Sequence, residues 1–188
     1  MSAPLVVAMV GTDHHPFDRL VGWLDRLAAS LGPRAEIVVQ HGHSVRPQVA
    51  SGVEFVDQEQ LTDLLDRAAV VVCHGGPGTI MDARRAGHVP VCVPRDPSRG
   101  EHVDAHQERF AAVVEDAGVV RLATDFPALA DQVAATLRAR GPQADVTEIE
   151  AAAEESAARF ARQIDPVVGR PVRRVRSVRR ALLSRVAR

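Results

Sequence analysis

The residues of this chain that could do chemistry follow short apolar segments. The clearest example is the run HGGPGT at residues 74–79, which comes directly after the apolar residues 70–73. Pro77 suits the first turn of a helix, where its missing N–H is not needed. A strand, a glycine turn and a helix N terminus together form a site for an anion, because free N–H groups and the helix dipole point the same way. The predicted phosphate-binding residues here are Gly75, Gly76, Gly78 and Thr79.

The pattern also argues against two common phosphate-binding motifs. Met81 occupies the place of the third glycine of a dinucleotide-binding motif, which disfavours an NAD(P)-type enzyme. A Walker A loop is excluded because the chain contains no lysine. Asp82, one turn inside the helix, is placed to accept hydrogen bonds from hydroxyls attached to the anion. Together these residues predict a diphosphate that carries a ribose and a sugar.

Two further polar loops are expected at the same edge of the sheet. One begins with Gly11 and Thr12 after the first apolar segment, and we assign both to the phosphate site. His14 and His15 follow; being adjacent, they are not expected to share a face, so at most one points into the site. Either could contact phosphate or take the proton of the acceptor, since the pKa of histidine lies near neutrality. Both histidines are therefore candidate catalytic residues.

The third loop, residues 95–104, leads into a helix and carries several polar side chains. His102 and His106 are four residues apart, with Asp104 between them. This HxDxH spacing lacks the HExxH signature of zinc enzymes, so contacts to sugar and phosphate are favoured over a metal. Neither a metal nor a cofactor is expected. The predicted donor-sugar residues are Glu101, His102, His106 and Gln107, although Glu101 could instead stabilise the N terminus of the helix.

These motifs resemble glycosyltransferase family 28, which includes MurG and two-subunit exopolysaccharide transferases. The similarity covers roughly residues 5–140 and is carried by GTDHHPFDR, HGGPGTIMDARRAG and PRDPSRGEHVDAHQ. It implies that the glycine loop holds the diphosphate of UDP, that the acid at Asp82 binds the ribose, and that His106 and Gln107 reach the donor sugar. MurG has a glutamate at the position of Asp82, so the shorter side chain here is a departure. The resemblance also implies inverting, metal-independent transfer to a lipid-linked acceptor.

Alternating strands and helices are expected to position these loops. Hydrophobic periodicity and turn residues predict strands at 5–10, 36–40, 53–56, 70–73, 89–93 and 119–122, and helices at 16–31, 57–68, 77–87, a segment ending near 118, and 127–140. Asp57 and Gln60 form a plausible capping box, and Thr124 or Asp125 caps the last helix. The fold class is therefore α/β, a Rossmann-like, doubly wound parallel sheet. With the resemblance, it corresponds to one half of a GT-B glycosyltransferase.

Length and composition limit the number of domains. The chain has 188 residues and is 46% hydrophobic, which suits one core plus an extension. We expect a nucleotide-sugar domain at 1–142, a helix packed on it at 143–165 and an arginine-rich tail at 166–188. No apolar stretch is long enough for a transmembrane helix, and no signal peptide is expected. Cys73 and Cys92 fall in predicted buried strands, as core thiols of a cytoplasmic protein do.

Charge is distributed unevenly. Residues 1–165 hold 15 arginines and 24 acidic residues, whereas residues 166–188 hold 8 arginines and no acid. Valines and leucines recur among the arginines of the tail at near-helical spacing. A membrane-surface helix, a partner-docking helix and a solvated tail remain open, with an anionic membrane as the first candidate. Nothing else in the chain favours nucleic acid, because aromatic residues make up only 3%.

The function expected is sugar transfer from a UDP-sugar by one half of a two-subunit enzyme. Enzymes of this architecture need one domain for the acceptor and another for the nucleotide-sugar, and the sequence predicts only the second. The expected partner is a membrane-anchored, acceptor-binding subunit, at the inner face of the plasma membrane. The alternatives are a nucleotide-sugar-binding module without activity and, less favoured, an NAD(P)-type enzyme.

Overall fold

The computed structural model describes residues 2–103 and 106–139, together with positions 147 and 151. The chain divides into two compact units, Met1–Val146 and Thr147–Arg188. The fold described below is that of the first unit. Asp104, the arginine-rich tail and, apart from those two positions, the helix expected at 143–165 lie outside the described residues.

The first unit is built on a six-stranded parallel sheet. Its strands are β1 (Leu5–Met9), β2 (Glu36–Gln40), β3 (Ser51–Val53), β4 (Ala68–Cys73), β5 (Val91–Cys92) and β6 (Arg121–Leu122). The spatial order is β3-β2-β1-β4-β5-β6, and every neighbouring pair is parallel. The order reverses between β1 and β4, and ligands of such sheets bind outside the carboxyl ends of the strands at this point. The predicted doubly wound α/β fold is confirmed.

Within residues 2–103 and 106–139, four α-helices connect strands and a fifth follows β6. They are α1 (Asp18–Leu31), α2 (Gln58–Arg67), α3 (Pro77–Arg85), α4 (His106–Asp116) and α5 (Phe126–Ala139). The predicted capping box is present: the Asp57 carboxylate accepts from the Gln60 N–H at 2.8 Å, and the Gln60 side chain accepts from the Asp57 N–H at 3.1 Å. Asp125 caps α5 by accepting from the Ala128 N–H at 2.8 Å. Local hydrogen bonds therefore fix where both helices begin.

Alternate side chains of β1 point to opposite faces of the sheet. Because the side chains on both faces are apolar, helices cover both faces. Val6 and Ala8 belong to the apolar cluster that contains Leu24 of α1 and Leu129 of α5. Leu5, Val7 and Met9 belong to a second cluster with Leu65 of α2 and Ala83 of α3. Both clusters are buried, so β1 is enclosed and cannot shift without uncovering apolar surface.

Every strand except β2 differs from its predicted bounds. β1 ends one residue earlier than predicted, at Met9, and β4 begins two residues earlier, at Ala68. β3 spans Ser51–Val53 rather than 53–56, because its partner β2 ends at Gln40, which pairs with Val53. The apolar residues that follow Val53 have no partner on β2 and therefore do not continue the strand. β5 and β6 are each two residues long, shorter than predicted, since they pair only through those residues. Among the described residues, no helix combines the length and apolar character needed to span a membrane.

Candidate functional site

The candidate site is a pocket at the carboxyl ends of the central strands. Its volume is about 420 Å³, and its lining includes Gly11, Thr12, Gly76, Gly78 and Thr79. These residues come from the loop after β1 and from the glycine turn after β4, two neighbouring strands. The structure therefore brings together residues that the sequence assigned to one phosphate site from separate segments.

The glycine turn aims the first turn of α3 at this pocket. Gly75 has a φ of +89°, a conformation that favours glycine. Gly76 caps α3, Pro77 begins it, and the Gly76 carbonyl accepts from the Ile80 N–H at 3.1 Å. The N–H groups of Gly78 and Thr79 lie before that first helical bond, so the helix offers them no acceptor. They are available to an anion in the pocket.

His74, which the sequence analysis did not select, packs between the two glycine loops. A Cβ atom added at Gly11 would lie 3.0 Å from its ring, and one added at Gly76 would overlap its Nε2. Its Nδ1 is 3.3 Å from the Met9 carbonyl oxygen, which accepts its hydrogen. Burial, with the positive charge of Arg95 as a smaller cause, lowers the pKa of His74 to about 4. The ring is therefore neutral near pH 7 and sets the spacing of the loops.

Asp13 holds a cluster of imidazoles beside the pocket. Its carboxylate Oδ1 lies 2.6 Å from Nδ1 of His15 and 3.6 Å from Nδ1 of His14, and it accepts from the His15 N–H at 2.8 Å. The backbone bond from His15 is the first cause that lowers the pKa of Asp13 to about 2. Asp13 lines the pocket, which places both histidines next to it.

The expectation that the adjacent histidines diverge is wrong. The ring centroids of His14 and His15 are 4.0 Å apart, and both rings approach the same carboxylate. The physical reason is that the chain bends at His14 and His15 and forms no strand there, so side chains do not alternate between faces. His102 lies on the same side, with its ring centroid 6.0 Å from that of His15.

Glu101 is buried and engaged within the protein. Its carboxylate accepts from Nε and Nη2 of Arg19 at 2.9 and 2.7 Å, and from the Asp96 N–H at 2.8 Å. Arg19 also donates to the Pro94 carbonyl at 2.9 Å. These three bonds use most of the roughly four acceptor positions of the carboxylate, which leaves one position on Oε1. In the structure Glu101 fastens the loop after β5 to α1.

Arg95, for which the sequence predicts no role, is a second buried cation beneath the loops. Its guanidinium donates to the carbonyl oxygens of His15, Glu101 and Val10 at 2.5, 2.8 and 3.0 Å. The residue is 1% exposed. In the sequence Arg95 is marked only by its place in the loop that follows the predicted strand at 89–93, and many surface arginines share such a place.

The remaining predicted residues lie outside the glycine pocket or are described only in part. Asp82 lines a neighbouring groove of about 260 Å³ with Thr62, Asp66 and Arg85, whose Nη1 lies 3.4 Å from its carboxylate. The predicted sugar residues His106 and Gln107 form the start of α4. Their side chains are not described.

Comparison with solved structures identifies the fold. CalG4, the calicheamicin glycosyltransferase, has a TM-score of 0.59 and 17% identity over 92% of this chain and 44% of its own. The spinosyn forosaminyltransferase SpnP has a TM-score of 0.53 and 20% identity over 72% and 35%. MurG from Acinetobacter baumannii has a TM-score of 0.51 and 22% identity over 73% and 42%. At these identities the likeness shows the fold alone, a Rossmann-like half of a GT-B glycosyltransferase.

Two further comparisons concern the sequence. This chain spans less than half the length of each of those three glycosyltransferases. A comparison with curated proteins finds no match. The model of the glycosyltransferase family 28 C-terminal domain, however, matches residues 5–164. The match includes both glycine loops and the histidine cluster, so the chain belongs to glycosyltransferase family 28.

Proposed function

We propose that this chain is the donor-binding, catalytic subunit of an inverting glycosyltransferase that uses a UDP-sugar such as UDP-GlcNAc or UDP-glucuronate. The observation that carries the proposal is the pocket shared by the Gly11 loop and the glycine turn at the start of α3. It combines free backbone N–H groups with a helix N terminus, which suits a diphosphate. Transfer itself is proposed to need no metal and no cofactor.

The glycine turn stabilises the leaving group. As the bond between the anomeric carbon and UDP breaks, negative charge develops on the diphosphate oxygens. Gly78 and Thr79 lie in the first turn of α3 and line the pocket, so the helix fixes their N–H groups before the reaction. Donors fixed in place before the reaction stabilise such charge without reorganising. UDP then departs with the electron pair of the broken bond.

The acceptor proton passes to the histidine cluster. Because Nδ1 of His15 faces the Asp13 carboxylate at 2.6 Å, it carries the hydrogen and Nε2 keeps a free lone pair. As the acceptor oxygen bonds to the anomeric carbon from the face opposite UDP, Nε2 takes its proton. Inversion follows from this single displacement. His14, on the same carboxylate, is the alternative proton acceptor.

Residues around this pocket are proposed to bind the ribose and the sugar of the donor. We assign the ribose to Asp82, whose groove adjoins α3, and the sugar to His102, His106 and Gln107. Glu101 was predicted to contact the sugar directly. Its three hydrogen bonds instead favour a supporting role, in which it holds the loop that carries His102.

An acceptor-binding subunit is proposed to complete the enzyme. GT-B enzymes pair two Rossmann-like halves, and the described residues form one. We propose that the other half is a membrane-anchored subunit presenting a lipid-linked glycan. Holding the acceptor hydroxyl in line with the anomeric carbon contributes on the order of 7–11 kcal/mol, which one open sheet edge cannot supply. The chain would then act at the cytoplasmic face of the plasma membrane.

A transfer assay tests this proposal. Purified chain is incubated with UDP-sugars and extracted lipid-linked acceptors, with and without the candidate partner. Turnover is expected only when both subunits are present. Turnover by this chain alone, free of copurifying protein, contradicts the two-subunit proposal. UDP-sugar binding without turnover in the presence of the partner supports a non-catalytic binding module instead.

The arginine-rich segment 166–188 is proposed to contact anionic lipid. Each arginine near such a surface contributes about 1 kcal/mol, reduced by salt. Deleting residues 167–188 is expected to reduce co-sedimentation with anionic vesicles and leave UDP binding intact. If the full chain does not bind these vesicles at low salt, docking to the partner replaces the membrane proposal.

A further inference from the structure

The loop after β1 gathers ligands of a kind that bind transition metals. Asp13, His14 and His15 can each offer one ligand atom, and these atoms all lie within 4.8 Å of one another. We propose that these three side chains form a binding site for one divalent transition-metal ion, with Zn²⁺ as the reference ion. This site does not include His102 or His106, whose HxDxH spacing disfavours a metal.

The distances between the ligand atoms are close to those of a tetrahedral zinc site, so a small movement of the side chains would complete it. Zinc–ligand bonds of about 2.0–2.1 Å in a tetrahedron place neighbouring ligand atoms about 3.3 Å apart. Nδ1 of His14 is 3.6 Å from the Asp13 Oδ1, and Nδ1 of His15 is 2.6 Å from it. The shorter distance is that of a hydrogen bond, whose hydrogen an ion would replace. The His14 side chain is 81% exposed, so its ring is free to rotate toward the ion.

The donor set selects the class of ion. Two imidazole nitrogens and one carboxylate oxygen suit Zn²⁺, Co²⁺ or Ni²⁺, whereas Mg²⁺ and Ca²⁺ prefer oxygen ligands throughout. Three protein ligands leave a position for water, as in open zinc sites.

The loop is held in place before any ion arrives. Arg95 donates to the His15 carbonyl at 2.5 Å, and the His15 N–H donates to Asp13 at 2.8 Å. A braced loop loses less conformational entropy when it binds an ion than a free loop would.

Binding of an ion at this site would affect sugar transfer, an expectation that rests on the proposed function. An ion on Nδ1 of His15 would replace the Asp13 hydrogen bond that leaves Nε2 ready to accept a proton. We therefore expect Zn²⁺ to inhibit transfer. Ion binding is measured without donor, acceptor or partner, so its failure leaves the proposed function untouched.

Metal binding to the full, tag-free chain tests the site. Zn²⁺ is titrated in competition with a chromophoric chelator, and the visible absorption of bound Co²⁺ reports tetrahedral coordination. One ion per chain with micromolar affinity is expected. His14→Ala and His15→Ala should each weaken binding about 10-fold or more. His43→Ala is the matched control. His43 is also an exposed histidine, but it lies outside the cluster and its ring contacts Phe55.

Each result decides the proposal. Urea unfolding midpoints establish that the variants fold, and His14→Ala is expected to leave stability unchanged because its side chain is exposed. The absence of micromolar Zn²⁺ binding to the full chain would mean that Asp13 and His15 form only a hydrogen-bonded pair. Binding that His43→Ala weakens as much as His14→Ala would place the ion elsewhere. Either result overturns the site.

Discussion

The buried guanidinium of Arg95 donates a 2.5 Å hydrogen bond to the carbonyl oxygen of His15, 80 positions away along the chain. The same group donates to the carbonyls of Val10 and Glu101. One cation thus joins the end of β1, the histidine loop and the loop after β5. The position of the histidine loop relative to the pocket therefore depends on a side chain that donates to the loop's backbone.

Replacing Arg95 with Met should destabilise the protein. Three buried carbonyl oxygens lose their charged donor, so the free energy of unfolding is expected to fall by about 2–4 kcal/mol. Urea denaturation measures the change. Arg85→Met is the control, because the Arg85 side chain is 62% exposed and its pair with Asp82 lies on the surface of α3. The free energy of unfolding of that variant should stay within about 0.5 kcal/mol of the value for the original chain. Equal effects for the two would contradict the bracing role.

Gly76→Ala should weaken UDP binding through His74. The φ of Gly76 is −67°, which any residue adopts, so the obstacle is the overlap between the new Cβ and the His74 ring. We expect calorimetry to show about a 10-fold loss of affinity, which corresponds to about 1.4 kcal/mol. Gly22→Ala in α1 meets no atom within 4 Å and should leave UDP affinity unchanged.

A double variant separates the steric cause from others. Adding His74→Ala to Gly76→Ala removes the ring that the new Cβ would strike. UDP affinity of the double variant should then equal that of His74→Ala alone, because the added Cβ no longer meets the ring. A double variant that binds UDP more weakly than His74→Ala would show that the turn fails for another reason.

Asp82→Ala tests the ribose assignment. A charged acceptor for ribose hydroxyls is worth about 1–3 kcal/mol, so UDP affinity should fall by that amount. Asp66→Ala is the matched control, because Asp66 lines the same groove without being assigned to the nucleotide. If Asp82→Ala folds and binds UDP like the original chain, Asp82 has no ribose role.

His74 should make the fold sensitive to acid. Its pKa is about 4 in the folded protein against 6.5 in the unfolded chain. Arg95 and His102 oppose its protonation, whereas Asp13 and the Met9 carbonyl favour it, and burial outweighs the rest. Between these pKa values the unfolded chain binds more protons. The free energy of unfolding is therefore expected to fall with decreasing pH, by up to about 1.4 kcal/mol per pH unit.

Urea denaturation of variants at pH 7, 6, 5 and 4 isolates this contribution. His74→Gln cannot take up the proton, so the dependence between pH 6 and 4 should become shallower. The exposed His43, changed to Gln, should leave the slope intact. An identical slope for His74→Gln and the original chain would contradict the assignment.

The parts of the fold that could be predicted are those encoded locally. The apolar runs of β1 and β4 and the capping box of Asp57 and Gln60 each depend on residues a few positions apart. Parallel pairing follows from the alternation of strands and helices. The glycine turn was also predictable, because Pro77 and its flanking glycines suit a strand-to-helix turn regardless of the rest of the chain.

Contacts between distant residues could not be predicted in the same way. Glu101 is an unremarkable loop acid until Arg19, 82 positions away, occupies both of its oxygens. His14 and His15 were not expected to share a face because they are adjacent, a reason that does not hold where the chain bends. The groove that Asp82 lines together with Thr62 and Asp66 of α2 likewise depends on how α2 and α3 pack against each other. Such pairings depend on tertiary packing, which a local pattern does not specify.

The most direct test of the account is whether UDP stabilises the folded chain through the glycine pocket. Thermal unfolding is followed with UDP, GDP, TDP and NAD at equal concentrations. A ligand that binds only the folded state at 100 times its Kd adds about 2.7 kcal/mol, so the melting temperature should rise. The account predicts the largest rise with UDP, little with NAD, and a much smaller UDP effect in Gly76→Ala. No rise with any nucleoside diphosphate, or a larger rise with NAD, would contradict it.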